Sequence, residues 1–299
     1  MNRTLAIVLL TGLQLSASGQ EPQRFRARTD LVSVDVLVTD ERQPVLGLAA
    51  GDFELIDNGI PQAIEQIYVE QLPVNVVMVL DTNGSVIGER LRALKAGAGS
   101  VIDKLRPKDR AAILSFSHRL DMPSPLTGDR EALRKALHAL DALGSTSLRD
   151  AAYAGLALRG ADTARTLLLL FSDGLDTSSI LSESRLMAVA RRSDAIVYAI
   201  GVREIPRLVR GPVFTQNEAM TDDRFLSALA RETGGRFFHA EQHRDIERTF
   251  TRVFEEFNSR YVLGYTPRGV AQPGWHKLEV RLKTRRGDVL ARRGYFGTY

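Results

Sequence analysis

The stretch Val74-Asn75-Val76-Val77-Met78-Val79-Leu80 is almost continuously apolar and runs straight into Asp81-Thr82-Asn83-Gly84-Ser85. An apolar run of that length fits a strand buried on both faces, as in a parallel sheet covered by helices. Leu91, Leu94, Ala98, Val101 and Leu105 follow at alternating spacings of three and four, which draws one helical face. Strand-like and helix-like segments then alternate to Arg260. Strands are expected at Ala111–Phe116, Leu167–Phe171, Ala195–Ile200 and Arg236–His239. Helices are expected from Asp129, from Ser145 or Thr146 to Leu158, around Leu186 and Ala190, over Asp222–Thr233 and over His243–Arg260. The alternation predicts an α/β domain over 73–260: a doubly wound, Rossmann-like, mostly parallel sheet flanked by helices.

The flanks read differently. Over 20–72, Val32, Val34, Val36 and Val38 alternate on one face of a strand. Phe53–Ile56 leads into the hairpin signal Asp57-Asn58-Gly59, and Ile64–Val69 is expected to pair back. Over 261–299, Leu278–Lys283 alternates, Arg285–Asp288 makes a turn, and Leu290–Tyr295 forms the last strand. Neither flank has enough strands to be stable alone. They are expected to pair into one small β-sandwich, with the α/β domain inserted between them.

Composition narrows the function. With 299 residues, 40 Lys and Arg against 36 Asp and Glu, and no run of five like charges, the chain lacks a nucleic-acid-binding tail. The absence of cysteine excludes disulfides, thiolate metal sites and a cysteine nucleophile. Arg3, the apolar stretch Leu5–Leu15 and Ala17-Ser18-Gly19 read as a signal peptide over 1–19, cleaved after Gly19. The stretch is too short to span a bilayer. A periplasmic or secreted protein with no transmembrane anchor after signal removal is expected.

In a doubly wound sheet, ligands bind at the carboxyl ends of the strands. The polar residues there are Asp81, Asn83 and Ser85 after the first apolar run, Asp173 after Leu167–Phe171, and Thr146 in the Gly144–Asp150 loop. These loops meet if the two apolar strands are neighbours. Two carboxylates plus neutral side-chain oxygens, without nitrogen or sulfur, suit a hard cation such as Mg²⁺. Helix N-termini nearby favour an anionic ligand completing its shell, such as a partner's carboxylate. Asp176 and Thr177 read as supporting loop residues, and Asp150 either orients Thr146 or faces solvent. The irregular stretch from Arg203 to Thr221 carries Arg203, Arg207 and Arg210, which would favour an acidic partner. The five histidines lack ligand spacing and read as structural or surface groups. Neither a Gly-x-Ser-x-Gly elbow nor a phosphate-binding glycine loop follows a strand, so no catalytic triad or nucleotide is expected.

At these residues the chain resembles the von Willebrand factor type A (VWFA) domain. Its metal-ion-dependent adhesion site reads Asp-x-Ser-x-Ser, a Thr in a Gly-x-Thr loop, and a later Asp. Asp81 and Ser85, Thr146 in Gly144-Ser145-Thr146, and Asp173 match; Asn83 departs from the middle serine. Asparagine keeps a neutral oxygen on a side chain one bond longer. The whole chain is similar to bacterial exported VWFA-related proteins, through Val34–Asp40, Tyr261–Pro267 and Gly294-Tyr295-Phe296. The resemblance implies an exported, non-catalytic protein-binding or adhesion module. Its site would hold Mg²⁺ (or Mn²⁺ or Ca²⁺) at Asp81, Asn83, Ser85, Thr146 and Asp173 and capture an acidic side chain of another protein. Two alternatives stay open. A haloacid-dehalogenase-like phosphohydrolase would need Asp-x-Asp where this chain has Asp81-Thr82-Asn83, and lacks its general acid/base. A structural envelope protein would carry the site as a vestige.

Overall fold

The computed structural model of the chain describes residues 31–69, 72–158, 160, 164–202, 216–270 and 273–297. The signal segment 1–19 and Arg203, Arg207 and Arg210 lie outside the described residues. The chain begins with β1 (Val32–Asp40), β2 (Gln43–Pro44), β3 (Phe53–Asp57), β4 (Ile60–Gln62) and β5 (Gln66–Val69). Next come β6 (Val74–Asp81), α1 (Glu89–Lys104), β7 (Arg110–Phe116), β8 (Leu120–Thr127), α2 (Arg130–His138) and α3 (Leu148–Ala157). They are followed by β9 (Arg165–Ser172), α4 (Glu183–Arg192), β10 (Ile196–Val202), α5 (Gln216–Glu232), β11 (Phe237–Ala240) and α6 (His243–Asn258). The last strands are β12 (Tyr261–Tyr265), β13 (Gly274–Leu282), β14 (Asp288–Ala291) and β15 (Gly294–Gly297).

The α/β body is a six-stranded sheet in the order β11-β10-β9-β6-β7-β8. All its ladders are parallel except β7–β8. Every residue of β6 is buried, because helices cover both faces. Val76, Met78 and Leu80 pack with α1, α2 and α6, whereas Val77 and Val79 pack with α3, α4 and α5. Gly155 lets α3 lie close to the sheet: a Cβ there would fall 2.7 Å from Val79 Cγ2 and 2.8 Å from Leu168 Cδ1.

Strand β8 is absent from the sequence reading. Pro123 and Pro125 break any apolar alternation, and most of the strand is exposed. Proline is tolerated there because β8 is an edge strand and owes no donor to a further neighbour.

The flanking segments form a two-sheet sandwich. One sheet runs β14-β1-β12-β5 with β2 beside β1, and the other runs β15-β13-β3-β4. Val34, Val36, Phe53, Leu55, Tyr261, Leu263 and Leu278 fill the space between them. Two expectations are corrected. The hairpin after Asp57 closes on β4, since Asn58 and Gly59 take positive φ and make a two-residue turn. The segment expected to pair back instead adds β5 to β12 in the other sheet. The expected last strand splits into β14 and β15, one in each sheet, where Arg292 holds the crossing through Gly294 O (2.7 Å) and Ser193 O (3.1 Å).

A buried polar network joins sandwich and α/β body. The Arg260 guanidinium is fully buried and donates to Gly234 O (2.7 Å) and Tyr198 Oη (3.0 Å). Arg165 of β9 pairs with Asp35 of β1 and lies over the Phe257 ring. Removing one member of a buried charged network strands its partners without water. Arg260→Met should therefore cost about 3–5 kcal/mol of folding stability. Urea unfolding of the variant beside the native chain checks this.

Candidate metal centre

The β6–β9 ladder sets Leu80 opposite Phe171, which brings Asp81 beside Ser172 and Asp173. Ser172 Oγ donates to Asp81 Oδ2 (2.7 Å), and the Asn83 backbone N–H donates to Oδ1 (3.0 Å). Asn83 caps the turn that follows, its Oδ1 accepting from Ser85 N (2.8 Å) and Ser85 Oγ (2.5 Å). Asp173 Oδ2 is a second acceptor within reach of that same Ser85 hydroxyl hydrogen.

The third loop is fastened to the first. Leu143 N donates to Thr82 O (2.8 Å), and Gly84 N donates to Gly144 O (3.1 Å). Gly144 has φ +92°, a conformation that favours glycine, and a Cβ there would displace the His118 ring, whose Nδ1 lies 2.2 Å from that position. Thr146 was expected near a helix cap, but Ser147 takes that position and α3 begins at Leu148. The reason lies in Thr177. Its Oγ1 accepts from Thr146 N (3.0 Å), while Thr177 N and Ser178 N donate to Thr146 O (2.9 and 3.0 Å). Thr146 is thus held outside the helix, at the site.

The five site residues read from the sequence are brought together. Asn83 Nδ2 donates to Thr146 Oγ1 (2.6 Å) and Asp173 Oδ2 (3.2 Å), joining the three loops. Burial, and then the negative charge of Asp173, push the Asp81 carboxyl up to about 8, against hydrogen bonds from Ser172 and Asn83 that favour its ionised form. Asp81, Ser85, Thr146 and Asp173 offer the oxygen donors a hard divalent cation takes. Asn83 is oriented the other way. Its oxygen, expected to face the ion, is taken by Ser85 N–H, which an NH₂ group could not satisfy. The amide N–H₂ therefore points inward.

The support around the site was partly legible. Asp150 neither reaches Thr146 nor faces solvent freely: its carboxylate accepts from Ile180 N and Leu181 N (both 2.9 Å). Asp176 accepts from Arg149 N and Ser179 N (3.0 and 3.1 Å), fixing the same loop over α3. Ser172 is not among the site residues expected from the sequence. Its position directly before Asp173, at a strand end, was the available signal for its role beside Asp81.

Residues 76–175 match the von Willebrand factor type A domain. An uncharacterized protein of Synechocystis is 24% identical over 219 residues, which cover 68% of this chain. The chain spans about half the length of that curated relative, 49%. Among solved structures, the vWF domain of the type V pili tip protein Mfa5 from Porphyromonas gingivalis aligns with TM-score 0.51 and 15% identity. That alignment covers 67% of this chain and 98% of that one. A von Willebrand factor type A protein from Catenulispora acidiphila aligns with TM-score 0.50 and 13% identity, covering 91% of this chain and 76% of that one. Similarity at this level shows the fold, a VWFA-type α/β sheet within this chain.

The raised Asp81 carboxyl has a consequence for ion-free protein. The folded state keeps the proton up to about 8, whereas the unfolded chain releases it near 3.8. This contribution to stability is complete below about 4 and is lost as pH rises toward about 8. Denaturant midpoints in chelator at pH 5 and pH 8 should therefore fall with pH in the native chain. In Asp81→Asn the difference should shrink.

Proposed function

We propose, from the von Willebrand factor type A domain that this chain carries, that it is an exported, non-catalytic protein-interaction module. It takes an acidic side chain of a partner protein at the rim formed by Asp81, Ser85, Thr146 and Asp173. The observation that carries the reading is the convergence of these oxygens, with exposed aliphatic residues close by in the same loops of the sequence. Ile87 follows Ser85 by two residues, Leu143 precedes Thr146 by three, and Leu175 follows Asp173 by two; Ile180 is 96% exposed. Exposed apolar groups concentrated around a polar centre mark a contact face.

Mg²⁺, or Mn²⁺ or Ca²⁺ in its place, would supply at these oxygens a Lewis acid with a coordination position left for the partner's carboxylate. The chain's own residues fix that position: Ser172 orients Asp81, Thr177 orients Thr146, and Ser85 reaches Asp173. Arg203, Arg207 and Arg210, which follow β10 in the sequence, would add attraction for an acidic partner. A pili tip protein among the solved relatives agrees with a role in contact outside the cell. Among the described residues no helix is long and apolar enough to cross a membrane.

One feature counts against phosphohydrolase chemistry: Asn83 stands where that chemistry needs a carboxyl as general acid, and has none.

Thermal unfolding tests the reading. Mg²⁺ or Mn²⁺ should stabilise the native chain relative to chelator, by about 2.7 kcal/mol at a hundredfold excess over Kd. Asp81→Ala and Asp173→Ala should show no such gain. Partner retention from envelope extracts should be lost with chelator, and weakened by Ile180→Asp or by replacing Arg203, Arg207 and Arg210 with Ser. Retention indifferent to chelator and to Asp173→Ala would overturn the ion-bridged contact.

A further inference from the structure

Asn83 differs from its neighbours in the site by facing it with hydrogens. It is 4% exposed, and its amide is engaged at both ends. Oδ1 accepts from Ser85 N–H and competes with Asp173 Oδ2 for the single Ser85 hydroxyl hydrogen, while the two Nδ2 hydrogens go to Thr146 Oγ1 and Asp173 Oδ2. Thr146 Oγ1 and Asp173 Oδ2 are two of the oxygens that a cation would need. The N–H₂ group, carrying partial positive charge, sits between them.

We infer that Asn83 is a built-in competitor for the divalent cation, bridging Thr146 and Asp173 in the ion's stead and weakening its binding. The inference rests on the proposed ion-dependent reading of the site and adds how loading is controlled. A cation entering the site must break both Nδ2 bonds, one of them to a carboxylate and so of the stronger class. Turning the amide over does not help. It would place N–H₂ against the Ser85 N–H and remove the cap of the 84–86 turn. Burial keeps water from taking over the released bonds cheaply. A serine at this position could still cap the turn through its hydroxyl, but is too short and has too few hydrogens to bridge Thr146 and Asp173.

Two substitutions separate competition from ligand supply. Asn83→Ser removes the competitor, adds a hydroxyl oxygen and can keep the cap of the 84–86 turn; Asn83→Ala removes the competitor together with that cap and adds no ligand. Titration calorimetry with MnCl₂ alone on the full chain should show both variants binding more tightly than the native protein, Asn83→Ser by about tenfold or more. In ¹⁵N spectra the Asn83 side-chain N–H₂ should exchange slowly with solvent in chelator and lose that protection on saturation with Mg²⁺. Tighter binding by Asn83→Ser alone would mean that serine merely adds a ligand, and would overturn the inference. Equal or weaker binding by both variants would overturn it while leaving the ion-dependent reading intact. Binding by Asn83→Ala with none by the native chain would support the competitor and defeat ion-dependent contact in the native protein. No binding by any of the three would defeat both.

Discussion

The parallel pairing of β6 with β9 is the constraint on which the site depends. It is made by two strands that are apolar almost throughout and covered on both faces, so its register is fixed by the core and not by the loops. Because the strand order reverses at this pair, the connections leave in opposite directions and a crevice opens at their carboxyl ends. The polar residues just past each apolar run, Asp81 on one side and Ser172 and Asp173 on the other, are thereby brought together. Asp81 and Asp173 are two carboxyl groups brought together by a hydrophobic ladder, and the polar atoms around them answer that unfavourable meeting. Ser172 and the Asn83 N–H bind Asp81, while Ser85 and the Asn83 amide bind Asp173.

Holding such a site needs a frame that does not yield, and this chain builds one without cysteine. The sandwich supplies it through buried polar groups. Asp57, fully buried, accepts from Tyr265 Oη and Tyr295 Oη at 2.8 and 2.9 Å and lies 2.9 Å from His276 Nδ1. That cluster ties β3 to β12, β13 and β15, which come from opposite ends of the chain. Arg260 and the Arg165–Asp35 pair then anchor the sandwich to β9 and β10. One tie runs directly to the site strand, since Arg165 opens β9 and Asp173 follows its last residue.

The legible part of this structure was the part that hydrophobic periodicity controls. Continuous runs gave β6, β7, β9 and β10, spacings of three and four gave α1, and polar residues past two strand ends and in the Gly144–Asp150 loop gave the five site positions. What escaped depends on partners distant in sequence. Strand β8 has no periodic signature because an edge strand needs none. The partner of β5 is chosen by the free edge of β12, nearly two hundred residues away. The start of α3 moves to Leu148 because Thr177 holds Thr146. The orientation of Asn83 could not be read either: its composition offers an oxygen, and only the capped turn at Ser85 shows that this oxygen is already in use.

That last point changes what kind of surface the loops present. Inside, the carboxamide leaves few unmet hydrogen bonds, so the polar centre is nearly complete without a ligand. Outside, Leu143 and Ile180 stand 71% and 96% exposed, and Ile87 62%. Their burial is the larger gain still available to this face, since each aliphatic side chain removed from water contributes roughly 1.5–3 kcal/mol. A polar centre already balanced contributes mainly orientation and discrimination, as charged groups at interfaces commonly do. On this division the exposed aliphatic side chains of these loops would supply most of a partner's affinity. The oxygen cage, with its competing amide, would decide which acidic residue is accepted and in what register.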